Sequence, residues 1–153
     1  MDPVKLLKKQ HREVEAFFKK IGKAESAAER RRLLDEISHL LTLHTKIEEA
    51  IFYPAVREIE TKKAEEMVLE AYEEHHVVKL VLVDLPNVDP EDERFEAKMT
   101  VLEELVKHHV EEEEGEMFKL VDKLDDDELE AIGDRMAAEA ERAGGQGRGR
   151  HAA

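Results

Sequence analysis

The sequence contains no cysteine. This absence excludes disulfide bonds, thiolate nucleophiles, iron–sulfur clusters and cysteine-ligated zinc sites. Any metal ion that the chain binds must therefore be held by histidine, aspartate or glutamate. The chain is rich in these residues, with 8 histidines and 38 acidic residues among 153.

Long apolar runs are also missing. No stretch approaches the roughly 20 apolar residues that a membrane-spanning helix needs, and the first residues, Met1 to Lys5, lack the apolar run of a signal peptide. We therefore expect a cytoplasmic protein with no membrane partner. Hydrophobic residues make up 41% of the chain and charged residues another 41%, which favours one soluble domain.

Basic residues are in the minority, and the formal net charge is -14. Nucleic acids and acidic membranes are bound through clusters of lysine and arginine, so this charge argues against both partners. The tail, residues 143–153, combines arginine with several glycines and is predicted to be disordered. The acidic surface could attract metal cations, but solubility explains it more simply.

Apolar residues recur at helical spacing, and no segment alternates with the period of a strand, so the predicted fold class is all-α. The predicted helices run from Pro3 to Ile21, from the Ser26–Glu29 capping box past Ile51, from about Ala64 to Leu85, and from a cap at Asp89 to about Leu124, with a short fifth helix at about 126–142. Pro54 is expected to kink or end the second helix. Short connections favour an antiparallel up-down-up-down four-helix bundle within one domain, residues 1–142.

The first two helices resemble the next two. The matching pairs lie about 65 residues apart and include His11 with His75, His44 with His109, Glu48 with Glu113, and Tyr53 with Phe118. This internal repeat predicts an approximate two-fold axis in the bundle.

A His-x-x-x-Glu spacing occurs in each half and places an imidazole and a carboxylate on one helix face, one turn apart. The residues in question lie on the apolar stripes of their helices, where an unpaired imidazole or carboxylate is costly. The doubled pattern predicts a site for two metal ions in the bundle core. Its predicted ligands are His11, His44, Glu48, His75, His109 and Glu113. The alternative is a buried hydrogen-bond network of these residues without metal.

Other polar residues compete for roles near this site. His108 and Glu112 also form a pair one turn apart, but they lie on a more polar face, so the pair His109 and Glu113 is preferred. His39 and His76 have no doubled pattern and are expected at the surface.

Three further residues flank the predicted ligands. Glu49 and Glu114 directly follow the two predicted glutamate ligands, which makes them candidates for contacts with the ligand residues, although a solvated acidic face explains them too. Tyr72, one turn before His75, could supply a phenolate or a hydrogen bond, but a core role is commoner.

Four segments of the chain resemble the hemerythrin-like family of His-His-Glu cation-binding domains: residues 10–14, 44–54, 74–78 and 109–118. The resemblance implies a non-haem di-iron centre in an antiparallel four-helix bundle. It makes the four histidines terminal ligands and the two glutamates bridging ligands, together with a shared oxo or hydroxo group. The preference for iron over manganese comes mainly from this resemblance, because both metals accept these ligands.

One departure from the oxygen-carrying hemerythrins concerns the third helix, where those proteins have two histidines one turn apart. Here the residues one turn before and after His75 are Ala71 and Lys79. With one histidine fewer, both irons would keep an open position, which favours chemistry over simple oxygen carriage.

The leading functional hypothesis is a di-iron protein that binds or reacts with dioxygen, nitric oxide or hydrogen peroxide, as a carrier, a sensor or an enzyme. The redox partner is not identified by the sequence, and the chain could be a monomer or a homodimer. Two other classes stay open: an iron storage, delivery or repair protein, and a metal-free helical interaction protein.

Overall fold

The computed structural model describes the backbone of residues 1–152 and the side chains of residues 1–144. Within this part of the chain all regular secondary structure is helical, which confirms the predicted all-α class. The α-helices are α1 (Pro3–Gly22), α2 (Ala27–Ile47), α3 (Tyr53–Arg57), α4 (Lys62–Asp84), α5 (Glu93–Glu112), α6 (Phe118–Val121) and α7 (Asp126–Ala152), and a 3₁₀ turn at Leu85–Asn87 follows α4. None of the helices among the described residues has the length and apolar content needed to cross a membrane.

Side-chain oxygen atoms begin the long helices. Ser26 Oγ accepts a hydrogen bond from the backbone N–H of Glu29, as the predicted capping box requires. The predicted cap of α5 is wrong, because Asp92 caps this helix instead of Asp89. Asp89 accepts a bond from the backbone N–H of Glu91 within the preceding turn, a local bond that aspartate makes readily outside helices.

Two π-helical turns interrupt the helical path. The first π turn is Glu48–Phe52, and the second π turn is Glu113–Met117. Each is closed by a wide hydrogen bond, from the backbone N–H of Tyr53 to the carbonyl of Glu48 and from that of Phe118 to the carbonyl of Glu113. Pro54 has no N–H to give to an α-helical bond and lies just after the first π turn, at the start of α3. Lys119 occupies the equivalent position after the second π turn, so the wide turn does not require a proline.

Two apolar clusters fill the interior, with a polar layer between them. The first apolar cluster contains Leu7, Ile47, Ala71 and Met117 among others, and the second contains Val14, Leu41, Val78 and Leu102 among others. The polar layer consists of His11, His44, Glu48, His75, His109 and Glu113. Helices α1 and α4 pass from the first cluster to the second, whereas α2, and α5 together with the π turn that follows it, pass in the opposite order.

Helix α7 packs mainly on α1, α2 and the first π turn. Its Met136 is fully buried in the first apolar cluster, and its Glu139 pairs with Lys46 at 3.2 Å. The helix continues to Ala152, beyond the predicted end near residue 142, and no proline interrupts it. The predicted disordered tail, 143–153, thus begins inside this helix, and its side chains from residue 145 on lie outside the described residues.

Candidate metal centre

The six residues predicted as metal ligands come together in the polar layer, and each is at most 6% exposed. Helices α1, α2, α4 and α5 each contribute one histidine, and each π turn begins with one of the two glutamates. Their potential ligand atoms, one from each residue, form two groups within which all distances are at most 4.8 Å. One group consists of His11, His44, Glu48 and Glu113, and the other of Glu48, His75 and His109. The two groups are adjacent because they share Glu48.

The glutamates connect the two groups. Oε1 of Glu113 lies 3.1 Å from Nε2 of His11, and Oε2 of Glu113 lies 3.1 Å from Nε2 of His109. Oε1 of Glu48 lies 2.9 Å from Nε2 of His44 and 3.2 Å from Nε2 of His75. Each carboxylate therefore contacts histidines of both groups, which is the arrangement that a bridging ligand needs.

Three buried polar atoms of the layer make no hydrogen bond within the described part of the chain. They are Nε2 of His44 and both carboxylate oxygens of Glu48, which is 0% exposed. His44 and Glu48 are close, but they are not aligned for a hydrogen bond. A buried carboxylate without hydrogen bonds costs several kcal/mol, about as much as a nearby cation can offset. The donor set thus fits a bound cation.

Each histidine of the layer is also held from outside through Nδ1. The contacts are His11 with Glu114 at 3.0 Å, His44 with Gln10 at 2.6 Å, His75 with Glu49 at 3.2 Å and His109 with Glu74 at 3.0 Å. A carboxylate or an amide oxygen accepts, so each Nδ1 carries a hydrogen and donates. An imidazole held in this way would, once neutral, present Nε2 without a hydrogen to the layer, as metal ligation requires.

Glu49 and Glu114 were candidates from sequence for contacts with the predicted ligands, and each hydrogen-bonds one of the histidines. Each is also fixed by a cation, since Lys79 Nζ donates to Glu49 at 2.7 Å and Arg12 donates to Glu114 at 2.9 Å. A charged bond on one side and a histidine on the other leave these carboxylates little freedom. They orient their histidines.

Tyr53 is a residue of this site that the sequence analysis missed. Its hydroxyl donates to Oε2 of Glu113 at 2.6 Å and lies 3.1 Å from Nε2 of both His75 and His109. Burial and the charge of Glu48 raise the pKa of Tyr53 well above its ordinary value, so the hydroxyl keeps its proton. The one signal in the sequence was the match of Tyr53 with Phe118 in the repeat.

None of the three residues about one turn from His75 on α4 supplies an additional ligand to the polar layer. Tyr72 is half-buried, donates to the backbone carbonyl of Glu49 at 3.3 Å and packs edge-on against Tyr53. Ala71 is buried in the first apolar cluster, and the ammonium of Lys79 is exposed. Tyr53, and not Tyr72, is therefore the tyrosine whose hydroxyl reaches the ring of His75.

The charges of the layer compensate one another in the metal-free protein. Burial lowers the pKa of His109, but the charge and hydrogen bond of Glu113 outweigh it and raise this pKa well above its ordinary value; His11 behaves likewise, more weakly. Burial raises the pKa of Glu48, but the charge of His44 together with the contacts of Glu113 and His109 outweighs it and holds this pKa well below its usual range. Protons on histidines thus occupy the place of a cation between the carboxylates.

A cavity of about 20 Å³ lies against the four histidines on the side of the second apolar cluster. Most of its remaining wall consists of Val14, Leu41, Val78, Val106 and Val110. This volume is enough for one water molecule or a molecule of two heavy atoms, and its apolar wall disfavours water.

The other histidines among the described side chains lie farther out. The side chain of His108 is 63% exposed, as its more polar face predicts, and its Nε2 lies 3.1 Å from Glu112. With Glu74 these two form a third group of potential ligand atoms. His76 is exposed, as predicted, whereas His39 is half-buried.

Two differences between the halves break the repeat at the site. Where the second half has Glu74 behind His109, the first half has the uncharged Gln10. Where the first half has Tyr53 after its π turn, the second half has Phe118, whose ring stacks on His11. The two groups of ligand atoms are therefore chemically unequal.

An all-helical fold with a buried layer of histidines and glutamates defines a helical bundle of the cation-binding kind. The chain belongs to the hemerythrin family, because residues 2–121 match the model of the Hemerythrin HHE cation binding domain. This result confirms the resemblance found in the sequence, and the matched range includes all six predicted ligands.

Relatives of this chain occur in mycobacteria. The crystal structure of a hemerythrin HHE cation binding domain-containing protein from Mycobacterium kansasii, a homolog of Rv2633c, is similar with a TM-score of 0.83 and 29% identity, covering 95% of this chain and 89% of that chain. The uncharacterized protein Rv2633c of Mycobacterium tuberculosis is 28% identical over 92% of this chain and 86% of its own length. A DNA nickase of Nostoc sp. is 24% identical over 76% of this chain, but over only 32% of its own length.

Proposed function

We propose that this chain is a non-haem di-iron protein that binds or reacts with dioxygen, nitric oxide or hydrogen peroxide. The observation that carries the proposal is Glu48: it is fully buried, both of its oxygens lack hydrogen bonds within the described residues, and histidines of α1, α2, α4 and α5 surround it. Two bound cations would supply the positive charge that balances the buried carboxylates of Glu48 and Glu113.

The geometry supports one division of the ligands. His11 and His44 would hold one ion, His75 and His109 the other, and Glu48 and Glu113 would serve both. Imidazole nitrogens and carboxylate oxygens suit iron and also manganese, and di-metal carboxylate sites of this kind are built in helical bundles. Iron is the assignment we favour, with an oxo or hydroxo bridge, and manganese is less favoured.

The alternating passage of the long helices between the two apolar clusters supports the predicted topology. α1 and α4 would point one way, and α2 and α5 the other, which is an up-down-up-down arrangement with an approximate two-fold axis. In such a bundle one inward histidine from each helix reaches a common layer.

The apolar cavity beside the histidines supports the choice of ligand. When bound, a pair of irons supplies reversible redox change and open coordination positions for a small molecule. The cavity of about 20 Å³ admits a molecule of two heavy atoms but no larger metabolite. Its valine and leucine side chains exclude water from the site.

Tyr53 favours a reactive role over simple carriage. Its hydroxyl holds a proton 2.6 Å from Glu113 and 3.1 Å from the ring nitrogens of His75 and His109. A proton donor within the site can serve a reaction of peroxide or nitric oxide, whereas a carrier needs only reversible binding. The absence of a fifth ligand histidine, one turn from His75, also favours a reactive role.

The first test is the metal content of protein purified without added metal, together with its visible absorption before and after reduction and re-exposure to air. We expect about two irons per chain and a charge-transfer band of a bridged di-iron site. Purified protein without metal, which also takes up no ferrous iron under anaerobic conditions, would contradict the proposal and support a metal-free interaction protein. Iron that readily passes to a chelator would instead favour storage or delivery.

A pair of variants links the metal to the predicted site. Metal loading should stabilise the wild type by about 2.7 kcal/mol for each bound ion when the free ion is at 100 times its Kd. Glu48→Gln should lose most of this gain, because the bridging charge is removed. Glu111→Gln, which removes an exposed carboxylate of α5, should keep most of it. Equal gains in all three proteins would contradict the assignment of Glu48.

Catalytic turnover distinguishes the two versions of the proposal. An enzyme should consume hydrogen peroxide or nitric oxide repeatedly, whereas a carrier or sensor should give a reversible spectral change without turnover. Tyr53→Phe should lower turnover and leave the iron content near that of the wild type.

A further inference from the structure

A third group of potential ligand atoms lies outside the polar layer. His108 and Glu112, one turn apart on α5, meet Glu74 of α4: Nε2 of His108 lies 3.1 Å from Oε1 of Glu112 and 3.5 Å from Oε2 of Glu74. One atom of each residue lies within 4.8 Å of the others. Two carboxylates held this close repel each other, and a divalent cation would relieve the repulsion. An imidazole with two carboxylates is a common donor set for such ions.

Glu74 connects this group to the buried layer. While Oε2 of Glu74 faces His108, Oε1 accepts a hydrogen bond from Nδ1 of His109 at 3.0 Å. A cavity of about 40 Å³ lies beside Glu74 and reaches the buried side chains of His109 and Glu113. The carboxylates along this cavity are Glu70, Glu74, Glu112, Glu113 and Glu116. Negative charge thus runs from the surface to the buried layer.

The group is not a by-product of the internal repeat. The positions equivalent to Glu74, His108 and Glu112 in the first half hold Gln10, Leu43 and Ile47, none of which is a usual metal ligand. Ile47 is fully buried in the first apolar cluster, on the side that α7 covers. The second half instead exposes this face and carries three ligand-type side chains there.

We propose that Glu74, His108 and Glu112 form a peripheral site for a divalent first-row cation, and that ions pass from it along the acidic cavity to the buried pair. The role in loading rests on the proposed function, whereas the binding of a cation to the peripheral group does not. Glu74 is suited to the transfer because its two oxygens face the two sites.

Equilibrium dialysis of the metal-free full chain against Co²⁺ tests the peripheral site. At a Co²⁺ concentration that just fills the peripheral site of the wild type, the wild type should bind one ion more than His108→Ala and Glu112→Gln. Each of these changes should weaken the affinity of the peripheral site about tenfold. His76→Ala and Glu111→Gln remove an exposed histidine and an exposed carboxylate nearby, so they are the matched controls and should bind like the wild type. The same number of ions in His108→Ala as in the wild type would overturn the peripheral site.

Stopped-flow absorption of Co²⁺ entering the buried layer tests the role in loading. At low Co²⁺ concentration His108→Ala and Glu112→Gln should fill the buried layer about tenfold more slowly than the wild type, and to the same final extent. Circular dichroism identifies any variant that fails to fold, and the other variant then decides. Equal rates with a filled buried layer would overturn the loading role alone. A wild type that never fills the buried layer would contradict the proposed function instead.

Discussion

The hydroxyl of Tyr53 donates a hydrogen bond of 2.6 Å to Oε2 of Glu113, although the two residues belong to different halves of the chain. Tyr53 directly follows the first π turn, and Glu113 opens the second. In a regular α-helix two residues five positions apart, such as Glu48 and Tyr53, point in different directions, whereas the wider π turn brings them closer to one side. The turn that presents the carboxylate of Glu48 to the site thus also presents the hydroxyl of Tyr53.

Replacing this tyrosine should destabilise the metal-free protein. Tyr53→Phe removes a buried hydrogen bond to a carboxylate and leaves Oε2 of Glu113 with His109 alone. We expect a loss of about 1.5–3 kcal/mol in the free energy of unfolding, measured by urea denaturation of metal-free protein.

The matched control is Tyr72→Phe, which removes a longer bond from a half-buried hydroxyl to a backbone carbonyl. This change should cost about 0.5 kcal/mol. If the two variants lose the same stability, the bond between Tyr53 and Glu113 has no special weight.

The helices and the burial of the six predicted ligands could be inferred from sequence because they depend on local patterns. Ser26 and Glu29 carry a capping box within four residues, and the helical period places His44 and Glu48 on one buried face. The misassigned cap at Asp89 lies in a turn, where aspartates at neighbouring positions satisfy the same local rule.

The partners across helices could not be inferred in this way. Tyr53 was missed because a regular helix does not place it beside Glu48, and the π turn depends on tertiary packing. Gln10 and Glu74 hold His44 and His109, but which residues meet across two helices depends on their rotation and axial offset. No single-helix pattern contains that information.

The stability of the metal-free protein should depend on pH with a definite sign. The raised pKa of His109 contributes stability that is fully present below its unfolded value near 6.5 and is lost as pH rises through the folded value. The lowered pKa of Glu48 contributes stability that is present above its unfolded value near 4.5 and is lost as pH falls through the folded value. Urea denaturation should therefore show greatest stability between these limits and a decline above neutral pH.

The same protons oppose metal binding. Histidine must be neutral to bind a cation, so uptake should release protons and the apparent affinity should increase with pH. Calorimetric titrations with Co²⁺ in two buffers of different ionisation enthalpy measure the number released. Zero release near neutral pH would show that His11 and His109 are already neutral in the metal-free protein.

The contact of α7 with the start of the chain should tolerate no side chain at Gly133. A Cβ atom there would overlap the backbone carbonyl oxygen of Met1 and lie close to the backbone nitrogen of Pro3, which is buried at the start of α1, so the start of the chain must shift. Gly133→Ala should lower the free energy of unfolding by about 1–3 kcal/mol and leave the metal content unchanged. Gly22→Ala is the control, since no atom lies within 4 Å of its new Cβ. A Gly133→Ala protein as stable as the wild type would show that α7 is not held by this contact.

The two proposed metal positions should differ in how firmly they hold an ion, because the outer partners of their histidines differ in charge. A carboxylate behind a ligand histidine makes the imidazole a stronger donor than a neutral amide does. His109 has Glu74 behind it, whereas His44 has Gln10. The ion held by His11 and His44 should therefore be the first to leave.

Gln10→Glu should reduce this difference by giving His44 the same kind of partner that His109 has. We expect release of iron to an excess of ferrous chelator in two phases for the wild type, and a fast phase about tenfold slower in Gln10→Glu, because the stronger donor holds its ion longer. Thr42→Glu adds a carboxylate to an exposed position of α2 and controls for the added charge, so it should release iron like the wild type. Slowing of the slow phase alone, or equal slowing by Thr42→Glu, would show that the partner of His44 does not set the order in which the ions leave.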